Sequence, residues 1–150
     1  MGSPIVLEIR QVQPEDIFSV VTLAYDTLPE RYNPAIFNQF YESFPEGFLV
    51  AELHHALIGF FVGTRIDQKK ARILMLSVKK QHRRHHIGSA LLVRFLNDMK
   101  RYEITQVELE VRTTNHIAIE FYKKHGFTIQ ETLPRFYQNG DDAYVMSRDL

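Results

Sequence analysis

A nearly unbroken apolar run, Ile73-Leu74-Met75-Leu76-Ser77-Val78, passes into the basic segment His82-Arg83-Arg84-His85-His86 and then into Ile87-Gly88-Ser89-Ala90-Leu91-Leu92. This succession constrains the fold more than any other part of the chain. A short run that is apolar at almost every step, not at alternate steps, suits a strand with both faces buried, so residues 71–78 are predicted to lie centrally in a sheet. Residues 87–99 then place Ile87, Ala90, Leu91, Phe95 and Met99 on one side of a helix.

The flanking segments give an alternating order of elements. Residues 5–12 alternate Ile5, Leu7 and Ile9 with Val6, Glu8 and Arg10, which predicts a strand. Pro14-Glu15-Asp16 opens a helix carrying Ile17, Val20, Val21 and Ala24, and Leu28-Pro29-Glu30-Arg31-Tyr32-Asn33-Pro34 breaks it. A second helical piece puts Ile36, Phe37, Phe40 and Tyr41 on one side. Residues 48–53 and 57–64 read as a hairpin around His54-His55-Ala56. Residues 106–112 set Val107, Leu109 and Val111 on one face of a strand and Glu108, Glu110 and Arg112 on the other. Asn115 is placed to cap a helix over 116–125 that Gly126 ends. Strands at about 127–133 and 142–149 flank a turn at Asn139-Gly140-Asp141. The order β-α-α-β-β-β-α-β-α-β-β predicts a mixed α/β sandwich.

Length and composition bound the rest. The 150 residues suit one domain over 1–150, able to bury a core without staples. With no cysteine there is no disulfide, thiolate nucleophile or Cys-ligated zinc, which fits a reducing, cytoplasmic setting. Eighteen basic residues balance 18 acidic ones, so no overall field favours nucleic acid. No apolar run approaches the roughly 18 residues of a membrane span, and Met1-Gly2-Ser3-Pro4 leads into no signal-like segment.

Local charge is uneven. Residues 79–86 carry four Lys or Arg and three His with no acid. A basic turn between a strand and a helix start can seat a polyphosphate, because the first helical N–H groups are unpaired and the dipole is positive there. A solvated basic loop is the plain alternative. The segment lacks interleaved aromatics on which bases would stack, which argues against nucleic acid. The spacing His82-x-x-His85-His86 straddles the helix start with no acid near, so no metal is expected.

Two blocks resemble the GNAT superfamily of acetyl-CoA-dependent N-acetyltransferases. The first is Arg83-Arg84-His85-His86-Ile87-Gly88, which is similar to the family's Gln/Arg-x-x-Gly-x-Gly/Ala cofactor loop at Arg83 and Gly88 and carries His86 at the first Gly. The second, Leu109-Glu110-Val111-Arg112-x-x-Asn115-x-x-Ala118-Ile119-x-x-Tyr122, resembles bacterial acetyltransferases that modify the N-terminus of a ribosomal protein. Leu28-Pro29-Glu30-Arg31-Tyr32 resembles the Leu-Pro-Glu-Asn-Tyr loop of protein N-terminal acetyltransferase catalytic subunits. Arg135-Phe136-Tyr137 resembles their Tyr-Tyr hairpin, with Phe136 in place of the first Tyr.

The resemblance spans residues 5–150 and implies a mixed sheet of about seven strands with splayed central strands and about four helices. It implies that acetyl-CoA pairs with the backbone of Leu76, Ser77 and Val78, that Arg83, Arg84, His85, His86, Ile87, Gly88 and Ser89 hold the pyrophosphate, and that Asn115 and Tyr122 reach the thioester. It also implies Glu110 as general base, Tyr122 as general acid and Glu30 as a second candidate base, with Leu28, Glu30, Tyr32 and Tyr137 holding a protein N-terminus. Lysine-directed or small-molecule acetylation, and a non-catalytic acyl-CoA-binding module, are the rival readings. Preferred N-terminal residues and any auxiliary subunit or ribosome association are not legible.

Overall fold

The computed structural model describes residues 6–83 and 85–150. Ile5, expected in the first strand, and Arg84, expected in the phosphate loop, lie outside the described residues. The described residues form seven strands and four α-helices in the expected order: β1 (Leu7–Gln11), α1 (Ile17–Thr27), α2 (Ala35–Ser43), β2 (Phe48–Leu53), β3 (Ala56–Arg65), β4 (Lys70–Val78), α3 (Ile87–Arg101), β5 (Gln106–Arg112), α4 (His116–Lys124), β6 (Thr128–Leu133) and β7 (Ala143–Asp149). They make one mixed sheet in the order β1-β2-β3-β4-β5-β7-β6. All neighbours are antiparallel except β4 and β5, which α3 joins by a crossover. No helix among the described residues is long and apolar enough to cross a membrane.

Two apolar layers sandwich the sheet. On one face, Leu91, Leu92 and Phe95 of α3 and Ile119 and Tyr122 of α4 pack with Leu49, Phe61, Ile73, Leu109 and Val111. On the other, Val20 and Leu23 of α1 and Phe37 of α2 pack on Phe48, Val50, Phe60, Val62 and Met75. No β5, β6 or β7 residue joins the second cluster, so α1 and α2 cover only the β2–β4 half. Beyond them, β5 presents Glu108, Glu110 and Arg112.

The apolar run in β4 is central, as expected, and it also holds a bulge. Val62 pairs with Met75 and Gly63 with Ile73, leaving Leu74 as the extra residue. Ile73 consequently belongs to the first cluster and Met75 to the second, although the two are only two residues apart. A bulge bends its strand and reverses the alternation beyond it. Parallel pairing with β5 stops at the same level: the last partners are Ile73 and Leu109. Above that point β4 and β5 part.

Candidate active site

Met75–Val78 keeps its β3 partners but has none in β5, and Glu110–Arg112 has partners only in β7. A cleft of about 390 Å³ opens between the parted ends. Its walls include Leu28, Glu30 and Tyr32 from the loop after α1, Leu74 and Leu76 from β4, and Glu110 and Arg112 from β5. Asn115 and Tyr122 close it at α4, and Phe136 and Tyr137 close it at the β6–β7 connection. Eight sequence-predicted site residues therefore share one cavity: Leu28, Glu30, Tyr32, Leu76, Glu110, Asn115, Tyr122 and Tyr137.

Each reaches the cleft for a local reason. Asn115 caps α4, its Oδ1 accepting the Ala118 N–H at 3.1 Å, which leaves its amide N–H groups as donors. Two turns later Tyr122 is 8% exposed, with its ring edge-on to Phe121 and Phe127. Burial pushes its phenol well above the ordinary tyrosine range, so it holds its proton. Tyr32 and Tyr137 are raised in the same direction, again chiefly by burial. Three neutral phenols thus face one cavity.

Acids meet fixed cations. Arg112 ion-pairs with Glu30 and with Asp141, the latter at 3.1 Å, and its guanidinium stacks 3.9 Å from the centre of the Tyr137 ring. One side chain at the end of β5 therefore ties the loop after α1 to the β6–β7 connection. Glu110, the carboxylate beyond the last β4–β5 pair, lies 3.6 Å from Arg72 Nε and lines the cleft. Arg72, Leu74 and Arg112 were not singled out from the sequence. For Arg112 a signal existed: it shares Glu110's face at strand spacing.

The phosphate-loop residues sit past the open end of β4. Ser77 turns away from the cleft and hydrogen-bonds Thr27, leaving only its backbone for a ligand. Arg83 Nε donates to the Val78 carbonyl at 3.1 Å. His86, at the N-cap of α3, adopts φ 61° and ψ 21°, the left-handed region that favours glycine. The usual glycine at this position thus answers a backbone demand, which His86 meets with strain. Gly88 is an ordinary helical residue, 3.7 Å in Cβ terms from the Phe121 ring. Ser89 Oγ lies 3.0 Å from His125 Nε2, and burial together with Arg148 lowers the His125 pKa. Ile87 is buried beneath the turn and His85 is exposed.

This layout suits an extended thioester of coenzyme A. Unpaired strand edge in β4 offers backbone partners, and the start of α3 with its basic approach suits a pyrophosphate. The Glu110 carboxylate and the Tyr122 phenol both line the cleft. Among the described residues no group of three potential metal ligands converges.

Comparison with known proteins agrees with this reading. Residues 17–127 match the model of the acetyltransferase (GNAT) family. An N-alpha-acetyltransferase of Sulfurisphaera tokodaii is 32% identical, the alignment covering 95% of this chain and 92% of that one. Ard1 from Thermoplasma volcanium superposes with a TM-score of 0.92 at 39% identity over 96% of this chain and 97% of its own. Arabidopsis thaliana Naa50, in complex with the bisubstrate analogue CoA-Ac-MVNAL, gives a TM-score of 0.84 at 27% identity over 96% and 99%. With a family model spanning most of its length and a relative of that identity over nearly all of both chains, this chain belongs to the acetyltransferase (GNAT) family, among its acetyl-CoA-dependent N-alpha-acetyltransferases.

Proposed function

We propose that this acetyltransferase acts on the α-amine of a protein N-terminus, which enters between the loop of residues 28–32 and the Phe136–Tyr137 segment. Glu110 takes the ammonium proton, and the neutral amine attacks the thioester carbonyl directly. Tyr122, kept protonated by burial, supplies the proton that the departing CoA thiolate takes up, and the second proton shed by the acylated nitrogen restores its phenol. The carbon–sulfur bond breaks as the amide bond forms. No cysteine is available for an acyl-enzyme. The observation that carries this reading is the shared cleft: Glu110 and Tyr122 face it where β4 and β5 part.

Glu30 is assigned to shaping the mouth, because Arg112 holds its carboxylate. An α-amine, with an ordinary pKa of about 7.7–8.0 against about 10.4 for lysine, gives up its proton with far less help. That matches a site in which Glu110, paired with Arg72 only at 3.6 Å, is less tightly engaged than Glu30. We also propose a cytoplasmic setting, which the cysteine-free composition fits.

The test is a panel of short peptides beginning Ser, Ala, Met-Leu and Met-Glu, each with an internal Lys. They are incubated with acetyl-CoA and mapped by mass spectrometry. Acetyl groups are expected on the N-terminus, and Glu110→Gln should lower kcat by about 10²-fold. Acetylation confined to the internal Lys would overturn the substrate. Full activity of Glu110→Gln with loss in Glu30→Gln would move the base to the 28–32 loop.

A further inference from the structure

The closed part of the β4–β5 seam carries a row of charges that leads to Glu110. Arg72 and Glu108 stand directly opposite one another in the register. Arg72 donates from Nε, at 3.0 Å, and from Nη2 to one oxygen of the Glu108 carboxylate. Lys70 Nζ lies 3.6 Å from the other oxygen. Glu108 is thus held from two sides and in turn fixes the guanidinium. Glu110 is the next residue on the same face of β5, with its Oε1 3.6 Å from Arg72 Nε.

That distance gives charge attraction without a good hydrogen bond. The other cations on this face are engaged elsewhere, Arg112 by Glu30 and Asp141 and Lys70 by Glu108. Among the described residues Arg72 is therefore the cation that pairs with Glu110. Without it, Glu108 and Glu110 would face each other as like charges about 7 Å apart along one strand face. Glu110 would also lose its tether at the point where β5 has no β4 neighbour.

We propose that Arg72 is a positioning residue: anchored by Glu108, it holds the Glu110 carboxylate at the cleft wall in the orientation that accepts the amine proton. A guanidinium cannot itself exchange that proton, so its part is orientation and charge. The role rests on Glu110 being the base.

The test compares wild type, Arg72→Met, Arg72→Lys, Glu110→Gln and the Arg72→Met/Glu110→Gln double variant at saturating acetyl-CoA. Arg72→Met should lower kcat about tenfold, with both KM values and the melting temperature nearly unchanged. Arg72→Lys should recover part of that loss. In the Glu110→Gln background, Arg72→Met should change kcat less than about twofold, because the residue it positions is gone. An equal loss in both backgrounds, a loss seen only in KM, or one that follows the melting temperature would overturn the role. Wild-type kcat in Arg72→Met with an impaired Glu110→Gln would refute positioning alone. Wild-type kcat in Glu110→Gln would remove the base assignment, and this role with it.

Discussion

The two ends of the β4–β5 seam are built from the same strands and do opposite things. Below Ile73 and Leu109 the strands are paired, and their outward side chains form the row Lys70, Glu108 and Arg72. Above that level the pairing stops, and the released edges line a cleft with Glu110, Asn115 and Tyr122. Nothing in polarity alone separates the halves, since β5 alternates Val107, Glu108, Leu109, Glu110, Val111 and Arg112 through both. The difference is geometric. A bulge at Leu74 and a crossover pair that ends early convert a stabilising seam into a binding edge.

The largest expected effect tests what holds the bulge. Gly63 faces Ile73 beside it, and an added Cβ would stand 2.3 Å from a ring carbon of Phe95. Phe95 is wholly buried and stacked on Phe61 at 4.6 Å, so it has little room to yield. Gly63→Ala should cost about 2 kcal/mol, lowering the melting temperature by roughly 6 °C. Thermal denaturation checks this. An unchanged transition would mean that the bulge region is not tightly packed and that the seam opens for another reason.

A smaller effect should appear on the open side. Arg112 joins Glu30, Asp141 and Tyr137, and so couples the two walls between which we propose the peptide enters. These groups are partly exposed, which limits their worth to folding. Arg112→Met should raise the peptide KM about tenfold, equivalent to about 1.4 kcal/mol, while acetyl-CoA affinity measured by calorimetry stays nearly constant. Equal weakening of both ligands would indicate that Arg112 supports the whole cleft and not its mouth.

Leu74 sharpens the contrast, since it is one residue from Ile73 and yet 37% exposed in the cleft. Leu74→Ser should cost less than about 1 kcal/mol of stability and reduce peptide kcat/KM a few-fold. Ile73, buried below the divide, would behave in the reverse manner on truncation. If Leu74→Ser proved as destabilising as Gly63→Ala, the divide would not fall at the bulge.

Much of this was legible before the structure. The order of elements followed from periodicity, from Pro14, Asn115 and Gly126 at helix ends, and from the apolar run in β4. Eight site residues predicted by resemblance meet in one cleft. What periodicity does not encode is register between distant strands. The contact of Arg72 with Glu110 and Glu108 spans residues separated by the whole of α3, and the Glu30–Arg112 pair spans most of the chain. The bulge was hidden for a related reason: a run of apolar residues reads as a doubly buried strand whether or not one member slips out of the ladder.

The smallest expected effect concerns the turn at the head of the open edge, where His86 departs from the family's glycine. Its φ of 61° places a Cβ in a region costing an ordinary L-residue roughly 1–2 kcal/mol, although His tolerates it better than most residues do. Glycine would remove that strain, but it would also loosen the unfolded chain by roughly 0.5–1 kcal/mol. His86 is exposed, so little packing is lost with its ring. The balance predicts that His86→Gly stabilises the fold by about 0.5 kcal/mol, raising the melting temperature by one or two degrees. Calorimetric acetyl-CoA affinity should stay within about threefold, because the backbone conformation that presents the start of α3 is already the one glycine would adopt. A lower melting temperature would show that the His86 ring contributes contacts that offset its strain. A large fall in affinity would show that the ring itself reaches the phosphates, making the turn a side-chain site as well as a backbone one.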